Sequence, residues 1–345
     1  MKVIITIVFL IFSLSSFAQK YPRVVFVSPD PKNSENEFWP TTYSHLIKSA
    51  SDLGVELEII YTNSHHSFYM EAIRQLVQRP IATRPQYFIG LPYKYFELDI
   101  LSLLQKADIK AFFVNMDIDP SGRKKIAKPR EIFKNWIGHF YPDDYDAGEL
   151  ITREVAKACS INKNIIAITG NHLSYASLQR EQAFKDISKE YHLKLQQVFS
   201  ASWKKANVEK MIPHIELRYP TTCGFVVASD SMAEGVIENS KRSYHICGID
   251  WTSNGFKLIE KGKLLCSAGG HFLEPAFALV ALFDYHNGID FKNDLGVTYK
   301  TPFAIATKKN VRSILQTFYG NKKKLNFKKF SKFYSKHKKY NFKLN

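Results

Sequence analysis

Twice along this chain the same alternation recurs: a short apolar run rich in β-branched and aromatic residues, then a longer stretch with apolar residues at three-to-four spacing. The first series opens with a strand over residues 23–28. A helix over residues 38–53 follows, in which Tyr43, Leu46, Ile47 and Ala50 share a face and Gly54 supplies the stop. Strands over 56–61, 86–90 and 110–115 then alternate with helices over 70–77 and 96–106. The second series places strands at 165–170, 195–200, 224–230 and 244–250, with helices at 175–190, 207–217 and 232–239. Strands that are apolar throughout and separated by helices belong in a parallel sheet covered on both faces. The expected class is therefore α/β, with two similar doubly wound parallel-sheet lobes. Ligands of such sheets bind beyond the carboxyl ends of the strands, so the residues just after each strand carry the functional question.

The length of 345 residues suits two medium lobes, and 45% hydrophobic with 23% charged residues excludes a disordered or collagen-like chain. Met1 and Lys2 lead into an apolar run from Val3 to Leu14, closed by Ser16-Phe17-Ala18. A positive start, an apolar stretch too short to span a bilayer and a small-x-small end predict a cleavable signal peptide over 1–18 and export to the periplasm of a Gram-negative host. The formal net charge of +16 is concentrated at the other end, where Asn321 to Asn345 carry ten Lys, one His and no acid, interleaved with aromatics. That composition is expected to give a solvated, poorly ordered tail, with contact to an anionic membrane surface as the alternative. Cys159, Cys223, Cys247 and Cys266 have no C-x-x-C spacing. With a large core available they read as buried, inert thiols, although an exported chain permits disulfides.

The order of motifs resembles the type I periplasmic binding proteins, the family of ribose- and galactose-binding proteins and their autoinducer-binding relatives. The resemblance covers nearly all of Tyr21 to Tyr319. It is carried by Gly170 with Arg180 and Phe184, by Ala228-Ser229-Asp230-Ser231-Met232-Ala233-Glu234-Gly235, and by Gly248-Ile249-Asp250-Trp251. Gly269-Gly270-His271-Phe272-Leu273-Glu274-Pro275 matches the stretch that re-enters the first lobe. The resemblance implies a ligand cleft between lobes joined by a three-segment hinge. The expected division is 19–139 plus 271–293 for the first lobe, 140–270 plus 294–320 for the second, and 321–345 for the tail, with Trp136 to Asp146 as the first crossing.

By resemblance, Phe38 and Trp39 stack on a sugar face, whose apolar C–H groups suit a flat aromatic while hydroxyls project at the rim. Asn115 stands where the family often has Asp, and Met116 where it often has Arg; Asp117 is a partial substitute for the lost polar contacts. Arg180 matches the cleft arginine whose fork holds adjacent hydroxyls or a carboxylate. Trp203 falls near the aromatic that closes the cleft. Ser229 stands where the family often has Asn, and Asp230 after it either faces the ligand or caps the following helix. Asp250 accepts from two vicinal hydroxyls, and His271 lies near the family's ligand-contacting Gln. Asp250→Ala and Arg180→Ala are expected to weaken binding and leave folding intact.

No enzyme signature accompanies this pattern. The pair His65-His66 lacks H-E-x-x-H and its adjacent side chains are expected to point apart, and no G-x-S-x-G elbow or phosphate loop is present. Asp143-Asp144-Tyr145-Asp146 lacks calcium-loop spacing and reads as a solvated turn. Sugar-responsive repressors share the implied fold, but a signal peptide occupies the place of their DNA-binding helices. The expectation is a non-enzymatic, monomeric solute-binding protein for a sugar or sugar-like ligand, with no cofactor, no metal and no nucleic acid. Its partner is expected to be an ABC permease or the periplasmic domain of a sensor kinase.

Overall fold

The computed structural model describes residues 21–63, 65–319, 325–335 and 339–342, so the expected signal peptide lies outside the described residues. In chain order the first lobe holds β1 (Arg23–Ser28), α1 (Phe38–Leu53), β2 (Glu56–Tyr61), α2 (His66–Gln78) and β3 (Tyr87–Gly90). It continues with α3 (Glu97–Lys106), β4 (Lys110–Phe113), α4 (Pro120–Ile126) and β5 (Trp136–Pro142). The second lobe begins with α5 (Asp144–Ala158), β6 (Asn164–Thr169), α6 (Tyr175–Glu190), β7 (Lys194–Ser200) and α7 (Lys205–Arg218). It goes on with β8 (Gly224–Val227), α8 (Asp230–Asn239), β9 (His245–Ile249), α9 (Ser253–Glu260) and β10 (Cys266–Gly269). After a turn of 3-10 helix at His271–Leu273 come α10 (Glu274–His286), α11 (Lys292–Leu295), β11 (Thr298–Thr301), β12 (Ala304–Thr307), α12 (Val311–Phe318) and α13 (Lys332–Ser335).

The strands form two six-stranded sheets, β11-β5-β4-β3-β1-β2 and β12-β10-β9-β8-β6-β7, parallel except for the β10–β12 pair. Central strands β3 and β8 are buried along their whole length, which is why their sequences are continuously apolar. Edge strands β2 and β7 are only partly buried and carry Glu, Lys and Gln. Helix α1 ends as its sequence requires, with Gly54 in the left-handed region at φ 74°. One of the two apolar cores fills one face of the first sheet beneath α2 and α3, and the other runs from the opposite face through α10 into the second lobe.

The chain changes lobes after β5, after β10 and between β11 and β12. The segment 136–146, expected as a crossing, is mostly strand, because Trp136 to Phe140 are apolar enough to close that side of the first sheet. Likewise β11 pairs with β5 in the first sheet, Thr298 opposite His139, so the last crossing falls at Pro302-Phe303 rather than near 294.

Two other expectations are corrected. The cysteines are not free thiols: Cys159 is bonded to Cys223 and Cys247 to Cys266, with Cα atoms 5.9 and 4.7 Å apart. The second bridge links directly opposed residues of neighbouring strands. The described part of the tail is not a frayed end. Phe327, Tyr340 and Phe342 are buried on the first lobe, and the Phe342 ring stacks on Phe277 at 4.5 Å. Asp284 on α10 anchors the strap by accepting from the Lys332 and Phe333 amides, the Ser331 hydroxyl and the Tyr340 hydroxyl. The aromatics interleaved with lysine thus supply the packing surface, while Lys328, Lys329 and Lys339 stay exposed.

Candidate functional site

The carboxyl ends of β1, β3 and β4 face those of β6, β7 and β9 across a cavity of about 440 Å³. That size lies within the ~300–1,000 Å³ of small-molecule sites. Of the residues singled out from the sequence, Phe38, Trp39, Asn115, Arg180, Trp203, Asp250 and His271 line it. The rims of the cleft touch: the Asn254 amide donates to the Glu37 carboxylate at 3.0 Å, and Ser174 Oγ lies 3.7 Å from Met116 Sδ.

Arg180 is the centre of the site. Helix α6 carries it, capped by the Ser174 hydroxyl, and only 4% of the residue is exposed. Its Nε donates to Asp144 Oδ1 at 2.8 Å, a second guanidinium nitrogen lies 2.8 Å from the same oxygen, and the third donates to the Ala228 carbonyl at 2.6 Å. That third nitrogen stands 4.0 Å from Asp250 Oδ1, and the guanidinium lies over the Trp203 ring at 5.6 Å. Asp144 is a site residue that the sequence reading placed in a solvated turn. Asp143 does cap α5, but Asp144 in the first turn faces inward and is buried against Arg180. Burial pushes its carboxyl up to about 6, against the opposing pull of Arg180.

Asp250 follows β9 with φ at 130°, and Trp251 follows at 59°. A non-glycine residue at such an angle is held there by its surroundings. The holding group is Asp230. Its carboxylate accepts from the Thr252 amide at 3.0 Å and from the hydroxyls of Thr252 and Ser267, so it pins the turn that presents Asp250. Burial raises the Asp230 carboxyl to about 7, although these donors pull it down. Burial also raises Asp250 well above the usual carboxylate range, and Arg180 opposes this.

His271 is sandwiched between the rings of Phe38 at 4.6 Å and Phe303 at 4.7 Å, and its Nε2 is 3.6 Å from Asp250. Burial, aided by Arg180, drives its pKa well below normal, so it is neutral. The Asn115 amide group donates to the His271 carbonyl at 3.1 Å, while Asn115 Oδ1 and His271 Nδ1 have no partner among the described residues. Buried polar atoms are ordinarily hydrogen-bonded, so this pair marks the site as incomplete by itself. Asn115 and Trp203 also sit at positive φ, 61° and 64°. The Trp203 indole lies where a side chain at position 170 would project, so Gly170 is required for the aromatic to close over the cavity.

Three expected site residues do not reach the cavity. Ser229 is the N-cap of α8, accepting from the Met232 amide, and Asp230 is the buried pin just described. Asp117 pairs with Arg123 at 2.8 Å. Arg123 also donates to His139 Nδ1, and His139 Nε2 donates to the Met116 carbonyl at 2.9 Å. Asp117 thus fixes the loop that carries Met116 and does not replace a ligand contact. His65 and His66 are also not splayed: their rings stack at 4.3 Å, and His65 caps α2 by accepting from the Ser67 amide. Among the described residues no group of three or more His, Cys, Asp or Glu could hold a metal ion. No helix of the described residues is long and apolar enough to cross a membrane.

No family model matches the sequence, and no curated protein matches it closely enough to report. Solved structures do match. A periplasmic sugar-binding protein from Pseudomonas fluorescens superposes with a TM-score of 0.80 at 24% identity, over 90% of this chain and 94% of that one. An ABC transporter periplasmic solute-binding protein from Actinobacillus succinogenes, solved with D-allose, gives 0.72 at 15% identity over 85% and 99%. A solute-binding protein from Bacillus halodurans with myo-inositol gives 0.70 at 18% identity over 85% and 97%. At these identities the comparison establishes architecture: the chain has the type I periplasmic binding protein fold.

Proposed function

We propose that this is an exported solute-binding protein that closes on a small polar ligand, a sugar or sugar-like molecule, and delivers it to an ABC transporter. The observation that carries the reading is the pair Arg180 and Asp250, buried in a cavity between two lobes and flanked by Phe38, Trp39 and Trp203. A guanidinium and a carboxyl group 4.0 Å apart set donors and acceptors side by side for adjacent hydroxyls, and the aromatic walls cover apolar ring faces. The solved structures with bound sugars and inositol share the architecture and support the same reading. Asp30, Asn171 and Ser231, which line the cavity at strand ends, are added to the expected contacts.

The same groups support binding rather than catalysis. Arg180 is tied down by Asp144 and Ala228, and His271 is wedged between two rings, so both are held as fixed contacts. The test is a thermal-shift screen of residues 19–345 against sugars, polyols, furanones and organic acids. A ligand at ~100 times its dissociation constant adds ~2.7 kcal/mol and raises the melting temperature. A folded protein stabilised by none of the sugars or polyols would sink the reading.

A further inference from the structure

The walls of the cavity are chemically unequal. Every Lys and Arg among its described lining residues, Arg180, Lys204 and Lys205, comes from the second lobe. On the first lobe β4, β3 and β1 are neighbours in the sheet, and their ends present Met116, Leu91 and Pro29 to the cavity. The next cation after Met116 along the chain, Arg123, is held by Asp117 and His139 and lies over the Trp136 ring; it is not among the lining residues. Met116 itself is 3% exposed, with its backbone fixed by His139 and its sulfur against Ser174. A sugar hydroxyl packed on the Met116 and Leu91 side chains finds no hydrogen-bond partner in either of them, and one left unpaired there costs roughly tenfold or more in affinity. An apolar substituent in the same place gains affinity by leaving water.

Resting on the solute-binding reading above, we propose that the preferred ligand is a glycoside rather than a free sugar. One ring is held by Arg180 and Asp250, and an alkyl or aryl aglycone lies against Met116 and Leu91. The site is then two-ended: Arg180 and Asp250 read hydroxyls, and the Met116 and Leu91 side chains read the apolar group.

The test is calorimetric titration of the purified protein with matched sets of glucose, galactose, ribose and arabinose, each as the free sugar, the methyl glycoside and the phenyl glycoside. The expected result is at least tenfold tighter binding of a glycoside than of its parent sugar. That preference should fall at least fivefold in Met116→Arg, and in Met116→Gln should the larger side chain prevent folding. Free sugars binding as tightly as their glycosides, or a preference unchanged in both variants, would overturn this inference and leave the solute-binding reading standing. Failure of every sugar and glycoside to bind a folded protein would overturn both.

Discussion

Arg180 holds the fold and faces the cavity with one guanidinium, which changes what its removal should do. The sequence suggested that Arg180→Ala would leave folding intact; with Asp144 buried against it, the variant should instead lose about 3–5 kcal/mol of stability, because a buried carboxylate loses its partner. Asp250→Asn should behave differently. The native carboxyl is already raised by burial, so urea denaturation should show little change in stability, while affinity for the ligand falls by ~2 kcal/mol as an amide NH2 takes the place of one carboxyl oxygen. Asp230 gives a pH signature. Its folded pKa of about 7 stands above the ordinary value of 3.8, so its contribution is fully present below pH 3.8 and is lost as the pH rises through 7. Asp230→Asn removes that dependence. Urea unfolding at pH 4.5 and pH 8 should show the wild type losing stability relative to the variant at the higher pH; a constant difference would refute the assignment. That Asp250, Arg180 and Phe38 line the cavity was legible through the family resemblance, whose motifs follow the apolar strands in a fixed order. Asp144 and the role of Asp230 were not, because strand-end position does not say whether a carboxylate faces the cleft or turns back to a neighbouring loop.

Among the elements, the two bridges and the tail act on opposite lobes. Cys159–Cys223 closes a separation of 64 residues and Cys247–Cys266 one of 19, so by chain entropy they should contribute about 4 and about 3 kcal/mol respectively. Denaturant unfolding of Cys223→Ser and Cys266→Ser, each with its partner also replaced, should rank them in that order. Neither pairing could be read from spacing, since the half-cystines of each bridge meet only when helix α5 and strands β8, β9 and β10 assemble. The tail was misread for a related reason. Its lysines announce solvent, yet its burial is decided by Phe277, Phe283 and Asp284 on α10, far away in sequence. Truncation after Tyr319 should expose those rings and lower the melting temperature by several degrees, because removing one buried Phe costs about 3–5 kcal/mol. Ligand affinity should not change, since none of the described tail residues lines the cavity. An unchanged melting temperature would mean that the strap does not hold in solution.

For the molecule as a whole, the fold was the most legible part, because alternation of buried strands with amphipathic helices is a local pattern repeated many times. Helices α1 and α6 begin and end where their periodicity and caps place them. Strands β5 and β11, whose pairing joins distant segments, and helix α5 were among the parts of the architecture that the pattern did not place. The lobes meet through Glu37 and Asn254 and through Met116 and Ser174, so both walls contribute to one cavity. Occupancy of that cavity is the central claim. The most direct measurement is titration calorimetry of wild-type protein and Asp250→Asn with sugars and glycosides at neutral pH. The account predicts saturable binding of one ligand per chain by at least one of them, weakened ~30-fold in the variant, the equivalent of ~2 kcal/mol. Equal affinity in the two proteins, or no heat from any ligand with a folded wild type, would contradict it.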